Sequence, residues 1–343
     1  MLQSPLVSPY VDEFTLGYGV QMQANAFVRF DVIKRDWHDF YAAQLVKSNP
    51  QAVDPFGNKG DVQFLVNDNL TKRTYRAIQL QGQWKPTAAS YTGLTYAYSR
   101  LRGNDQGESA GSATVPNQPL PLYYPEYLGY ANRLPTGVLP EDTPHKLKMW
   151  AGYDFRIGHL GTLSASLLQT YESGAPYSVS STIDATGRTA GTSYTGLPAN
   201  PGYTLSQIGT SHTYFFSGRG VLRADPLNRT DTTLVYEVPV TRFSFRLQGT
   251  VTNVFNKHGV INPDTTVFTR RTSSTRGLKA FNPFTETPVE CPKQSSFTSA
   301  AAAVAACTAM GANYQKADTF GQAIGVSSYQ QPRTYSFAAG LRF

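Results

Sequence analysis

From Arg242 to Asn256 the chain reads RFSFRLQGTVTNVFN, with Phe243, Phe245, Leu247, Val251 and Phe255 on alternate positions and Arg242, Ser244, Arg246, Gln248, Thr250 and Thr252 between them. A period of two predicts a strand. The ending, RTYSFAAGLRF, repeats the pattern. Tyr335, Phe337, Ala339, Leu341 and Phe343 fall on one face, and Thr334, Ser336, Ala338, Gly340 and Arg342 on the other. Both runs approach the roughly ten residues that a strand needs to cross an outer membrane and exceed the five or six of an average soluble strand. Sliding the register by one residue would carry Arg246 or Arg342 into hydrocarbon, at about 2–4 kcal/mol each near the midplane. The alternation therefore predicts apolar side chains against lipid and polar ones against a wet interior.

The same signature recurs from the start. Phe14, Leu16, Tyr18, Val20 and Met22 alternate with Glu13, Thr15, Gly17, Gly19 and Gln21. After a short connection at 23–26, Val28, Phe30 and Val32 alternate with Arg29, Asp31 and Ile33, which predicts a hairpin. Ile78, Leu80 and Trp84 oppose Arg73, Tyr75, Gln79, Gln81 and Gln83. A turn at Lys85–Ala88 leads to Leu94, Tyr96 and Tyr98. Leu147, Met149, Ala151, Tyr153 and Phe155 oppose Lys146, Lys148, Trp150 and Asp154, and a turn over 156–161 carries Gly158 and Gly161, residues suited to positive φ. Leu163, Ala165 and Leu167 then alternate with Thr162, Ser164 and Ser166. Leu234 and Tyr236 mark a further strand, and Pro239-Val240-Thr241 the turn before Arg242.

Between these short turns lie four long polar connections, at about 38–72, 100–144, 173–228 and 257–331. A stretch at Val62–Val66 inside the first has strand character, and the Ala-rich Ser299–Met310 inside the last predicts a short helix. About nine strands with alternating short and long connections is the asymmetry of a bacterial outer-membrane barrel, short turns inside and long loops outside. The predicted fold class is all-β, a transmembrane antiparallel β-barrel with long extracellular loops. An odd count would leave lipid-exposed strand edges, so the whole of 1–343 is expected to be the C-terminal portion of a larger barrel.

Composition supports strands as the membrane-crossing element. Charged residues make up only 15% and aromatics 13%, whereas a soluble domain carries about 25% charge. No apolar run approaches the ~18 residues of a membrane helix. The net charge of +7 is scattered, without the basic runs and interleaved aromatics of a nucleic-acid interface. The opening MLQSPLVSPYVDEF lacks a basic segment followed by an apolar core, so no secretory signal is read there, and further sequence is expected upstream.

Several stretches carry a family resemblance: Pro9–Gly17 (PYVDEFTLG), Arg35-Asp36-Trp37, Glu141–Leu147 (EDTPHKL), Ser173–Tyr177 (SGAPY) and Thr252–Asn256 (TNVFN). In this order they resemble the C-terminal barrel of TonB-dependent outer-membrane receptors, the Oar-like branch above all, over most of the chain except about 271–331. The resemblance implies a barrel of about 22 strands, so that about 13 strands, a plug domain and the TonB-binding segment would lie upstream. Tyr335, Phe337 and the terminal Phe343 look like the family's signal to the barrel-assembly machinery.

Candidate chemistry is sparse. Gly107-Glu108-Ser109-Ala110-Gly111 has the spacing of a hydrolase elbow but lacks the strand before it and the helix after it, so it is read as loop. His38, His145, His159, His212 and His258 show no metal-ligand spacing, and no phosphate-cradling loop occurs. No cofactor and no enzymatic activity are expected. Cys291 and Cys307, 16 positions apart in a loop predicted to lie outside, are a candidate disulfide. Arg29, Asp31, Arg73, Gln79, Gln81, Lys146, Lys148, Arg246 and Gln248 are the candidate lumen-facing residues, either contacting a plug or solute or forming a mutually paired wall. Trp84, Tyr96, Tyr98, Tyr236 and Phe343 are candidates for interfacial aromatic girdles.

The expected function is a barrel segment of a TonB-dependent receptor in the bacterial outer membrane, taking up a large solute. Its partners would be outer-membrane lipid, the assembly machinery and, through the upstream plug, TonB. An outer-membrane structural or adhesion protein that grips a surface partner with its loops is the alternative; a passive porin and a soluble enzyme rank below it.

Overall fold

A computed structural model describes residues 6–45, 52–53, 59–60, 63–68, 71–104, 120–122, 132–184, 211–240 and 242–342. The alternating runs form nine long strands: β1 (Tyr10–Met22), β2 (Ala26–His38), β3 (Arg73–Thr87), β4 (Ser90–Gly103), β5 (His145–Arg156), β6 (Thr162–Glu172), β7 (Leu227–Val240), β8 (Phe243–Thr252) and β9 (Thr334–Arg342). They pair in chain order as one antiparallel meander, and the two-residue strand Gly137–Val138 adds to the end of β4. Among the described residues β1 and β9 do not pair with one another, so the sheet is an open wall.

Directly opposed residues of antiparallel strands share a face, and the register sorts the whole sheet. One row runs Leu16, Val32, Ile78, Tyr98; another Val28, Gly82, Leu94, Met149; a third Tyr153, Ala165, Leu234, Gly249, Phe337. Among the described residues this apolar face has no covering layer: Tyr18 is 73% exposed and Phe337 84%. A soluble sandwich would bury this face between two sheets. The wall instead has the alternation, strand length and connection asymmetry of a membrane barrel.

The four reversals at 22–26, 87–90, 156–162 and 240–243 lie at one end, and the connections at 38–73, 103–145, 172–227 and 252–334 lie at the other. Tight reversal is local chemistry: Gln23 has φ 60° in the first, and Gly158 and Gly161 have φ 56° and 109° around a one-turn 3-10 helix in the third. Boundaries around β7–β8 and β3–β4 differ from those expected. β8 ends at Thr252 because Asn253 takes φ 55°, so Val254, Phe255 and Asn256 belong to the loop, and Pro239 and Val240, expected in the turn, pair with Ser244 and Phe243 as the end of β7. β3 runs on to Thr87 past a bulge between Trp84 and Thr87, leaving only Ala88 and Ala89 in the turn, and β4 continues past Arg100 to Gly103. At the end of β4 exposed Arg100 and Arg102 alternate with buried Ser99 and Leu101, because the strand continues beyond the apolar band.

The buried core sits in the loops. The hairpin 180–184/211–215 and the last connection pack around Ile183, Tyr214 and Phe281, and around Val179, Val267, Tyr314 and Phe320. The Ser181 hydroxyl donates to the Val267 carbonyl and the Thr269 hydroxyl to the Thr182 carbonyl, each at 2.6 Å, fastening the third connection to the fourth. Inside the fourth, helix α1 (Ala300–Met310) has Ser299 as its N-cap, accepting from the Ala302 amide, and Gly311 in a left-handed C-cap at φ 62°. Elsewhere, Phe40–Leu45 and Gln63–Asp68 form an antiparallel pair, so the strand character seen at Val62–Val66 belongs to a hairpin past the end of β2.

Candidate functional site

The polar face of the wall is where a solute or an internal domain would be met. Arg29, Gln81, Thr95, Lys148, Thr170 and Arg229 stand side by side in one row, and Asp31, Gln79, Ala97, Lys146 and Glu172 in the next. Arg246 stands beside Glu237, Gln248 beside Val235, and Arg73 on the same face of β3 as Gln79 and Gln81. The structure thus places all nine candidate inward residues on one face and distributes them across four strands, β2, β3, β5 and β8.

Among the described residues, three of their six charges, those of Arg29, Asp31 and Lys146, are matched locally. Arg29 reaches both carboxylate oxygens of Asp31, with Nε–Oδ2 at 2.8 Å and Nη2–Oδ1 at 2.9 Å. A side chain at Gly17, the residue opposite Asp31, would collide with that carboxylate, so the small residues of β1 make room for the pair. Lys146 and Glu172 lie 3.9 Å apart, Arg229 and Asp231 3.0 Å, and Arg35 and Glu13 2.6 Å. Arg246 donates to Gln248 at 3.3 Å, and the Arg73 guanidinium sits 5.1 Å from the centre of the Trp37 ring. Such pairs at a wet surface add little stability. They set a polar surface of alternating sign.

Nearer the short turns the face becomes aromatic. The Trp150 ring lies over Gly93 and the Tyr91 ring over Gly152, where a β-carbon would collide with each ring. Beside them Leu168, Asp231, Thr233 and Thr250 complete a cleft of about 400 Å³.

At the loop end, two motifs act as fasteners. Asp142 is fully buried: one carboxylate oxygen accepts from the Leu101 amide at 2.6 Å and the other from Arg223 Nη2, with Arg100 Nη1 at 3.9 Å. Arg223 also donates to the Gly174 carbonyl at 2.9 Å, so one carboxylate–guanidinium pair joins the second connection to the third. Asn253, also fully buried, adopts φ 55° and donates from Nδ2 to the carbonyls of Lys257 at 2.9 Å and Gln331 at 2.8 Å. Both roles were missed in the sequence, although both residues lie in the stretches that carried the resemblance. The detectable signal was an acid directly before Thr-Pro and an Asn closing an alternating strand.

Cys291 and Cys307 are joined by a disulfide with Cα atoms 5.4 Å apart, in a cluster with Leu278 and Ala312. Fully buried Gln315 donates to the Pro292 carbonyl at 2.6 Å and accepts from Arg276 at 2.7 Å, and the Arg276 guanidinium lies 3.6 Å from the centre of the Phe268 ring. Burial pushes the Tyr314 hydroxyl up to about 12, with Glu290 beside it adding to the shift.

Tyr335 and Phe337 lie on the outward face, and Phe343 lies outside the described residues. Of the girdle candidates, Trp84 and Tyr236 stand toward the short turns, the Tyr236 hydroxyl donating to the Leu160 carbonyl at 2.7 Å. Tyr96 and Tyr98 stand toward the loops, flanking His145. Gly107–Gly111 lies outside the described residues. Among those described, no group of three or more His, Cys, Asp or Glu residues could hold a metal ion, and no helix is long and apolar enough to cross a membrane.

No protein-family model and no curated protein matches the sequence. Among solved structures, the outer membrane transporter YddB from Escherichia coli is similar to this chain at 12% identity with a TM-score of 0.43, and the match covers 76% of this chain and 30% of that one.

Proposed function

We propose that this chain forms part of the wall of an outer-membrane transport barrel, a TonB-dependent receptor that takes up a large solute. The observation that carries the reading is the register of the nine strands: an apolar band on one face, charges and amides on the other, and every long connection at one end. In a membrane that register satisfies the backbone and faces carbon to lipid at once. The loops then meet the solute outside, and the inward rows, with the Trp150–Tyr91 cleft below them, line its route. The remaining strands and a plug complete the barrel, and the polypeptide performs no covalent chemistry.

The test compares depletion of large solutes from culture medium by wild-type cells, cells lacking this gene and cells lacking TonB. The proposal expects the same solute to be left behind in both deletions. Depletion that requires the gene but proceeds without TonB contradicts energised uptake.

A second reading, surface adhesion, draws on the loop cap, which has buried clusters and a disulfide of its own. Partner binding on intact cells that persists without TonB favours it.

A further inference from the structure

The outward face ends toward the loops in a row of cations. Lys34, Arg76 and Arg100 are side by side in register on β2, β3 and β4, with Phe14 opposite Lys34 on β1. Arg102 follows one step beyond, opposite Thr74. All four cations are exposed, and they alternate along their strands with inward residues, Ala77, Ser99 and Leu101 among them, that are buried. They belong to the apolar face by parity, and the row beneath them is Leu16, Val32, Ile78 and Tyr98. Two residues along a strand is about 7 Å, and two strand spacings are about 10 Å. The cations therefore form a short belt immediately above the apolar band, with stems able to lie along it and heads free to rise.

Among the described residues the carboxylates nearby match only part of this charge. Asp36 lies 2.9 Å from Arg76 and 3.1 Å from Lys34, while Asp12 pairs with His38 at 3.3 Å. The Arg100 guanidinium rests 5.5 Å from the centre of the Tyr98 ring, and its neighbour Asp142 is held more closely by Arg223. Tyr98 and Tyr96 flank His145 just below, and the Tyr96 hydroxyl is 2.8 Å from the imidazole Nδ1. Aromatic rings topped by guanidinium and ammonium groups at the edge of an apolar band are matched chemically by a lipid: acyl chains below, phosphate above.

We infer that Lys34, Arg76, Arg100 and Arg102 form a site for the phosphate groups of outer-leaflet lipid, holding a phosphorylated lipid against the outer surface of β2–β4. The inference rests on the membrane placement proposed above and does not depend on what the barrel transports. Lys34 and Arg76 share one carboxylate and are the two heads best placed to exchange it for a phosphate oxygen. Arg100 closes the site on the β4 side.

The experiment titrates the full-length protein, folded in zwitterionic detergent, with lipid A carrying two phosphates, with the same lipid stripped of both, and with inorganic phosphate alone. Bound lipid is counted by native mass spectrometry. A membrane-adjacent cation contributes about fivefold in affinity, so Lys34→Gln/Arg76→Gln/Arg100→Gln should weaken retention of the phosphorylated lipid by more than about tenfold. The stripped lipid should bind the wild type as weakly as the phosphorylated lipid binds the triple variant. Lys148→Gln, which removes a cation from the inward face, should leave lipid retention as in the wild type, and millimolar inorganic phosphate should not displace the lipid.

Equal retention by wild type and triple variant overturns the inference, as does equal binding of the two lipids. Displacement by inorganic phosphate would mean a free-anion site instead, which also overturns it. Should the triple variant fail to fold, single Lys34→Gln and Arg76→Gln variants each still read a loss of about fivefold. Water-phase labelling of a cysteine at Phe337 would remove the membrane placement and this inference together. Outward placement with unchanged lipid retention would remove this inference alone.

Discussion

The side-chain amide of Asn253 donates to the main-chain carbonyl of Gln331 at 2.8 Å, joining two residues at opposite ends of the longest connection in the chain. The same amide reaches the Lys257 carbonyl, and its oxygen accepts from the Lys257 amide at 2.9 Å. Both ends of the 252–334 connection are thus closed at the rim of β8. Asn256 repeats the device, adopting φ 49° and accepting from the Arg333 amide at 3.0 Å. Asn tolerates the left-handed region and supplies both a donor and an acceptor, which suits it to Asn253, while at Asn256 the acceptor alone is used.

Replacing Asn253 by Ala should therefore loosen the loop rather than the wall. Leaving buried main-chain partners without it costs about 1–3 kcal/mol, and the positive φ adds to that. External protease should cut within 257–331 faster, while the folded-band mobility of the unheated protein on a gel stays as in the wild type. Asn253→Gly, which relieves the backbone but not the lost amide, should be cut nearly as fast. Equal protease resistance in all three proteins would contradict the fastening role.

The disulfide gives a second handle on the same module. A 16-residue closure restricts the unfolded loop by about 3 kcal/mol on the chain-entropy account. Cys291→Ala/Cys307→Ala should raise amide exchange across α1 and the strand Tyr314–Lys316, and leave exchange in β1–β6 unchanged. Exchange that rises equally in both regions would contradict a separately cross-linked cap.

Face by face, the wall should tolerate charge very unequally. Leu247 lies on the apolar face, adjacent to Gln248 on the polar one. Leu247→Arg should destabilise the barrel in lipid vesicles by about 2–4 kcal/mol if that row lies near midplane, whereas Gln248→Arg should cost less than about 1 kcal/mol. Reversible unfolding in urea measures both. Similar losses would mean that the two faces meet similar surroundings.

Acid should loosen the loop cap. Asp264 is buried, and although burial opposes its charge, hydrogen bonds from Thr266 and Thr319 hold its carboxyl below the ordinary value. Asp318 is lowered too, chiefly by the Ser295 amide. A carboxyl lowered in the folded state stabilises it above the unfolded value and loses that contribution as pH falls through the folded one. The cap should thus hold its full stability near neutrality and lose it below about pH 4. Asp264→Asn should flatten that loss when protease resistance of the cap is followed against pH.

Much of this architecture was legible because a two-residue period is a direct imprint of two solvents. Phe243, Phe245 and Leu247 against Ser244, Arg246 and Gln248 needed no partner to be read, and each strand carried its own copy of the signal. Strand ends were harder. At Arg100 and Arg102 the polar outward side chains resembled loop, because the strand leaves the apolar band before its hydrogen bonding ends. The fasteners were harder still: Asp142 and Arg223 are 81 positions apart, and nothing local marks a pair that only the folded loops bring together. The lipid-side cations escaped for a related reason. Lys34, Arg76 and Arg100 are far apart in the sequence and become a row only once the register of three strands is known.

The account depends on one claim, that the alternation along these strands separates lipid from water. The most direct measurement attaches a spin label at each residue from Thr334 to Arg342 of the full-length protein in vesicles and reads its collisions with dissolved oxygen and with a water-soluble nickel chelate. The account predicts a period of two, with Tyr335, Phe337, Ala339 and Leu341 favouring oxygen and Thr334, Ser336, Ala338, Gly340 and Arg342 favouring the chelate. A flat profile, or one in which Phe337 favours the chelate, would contradict it.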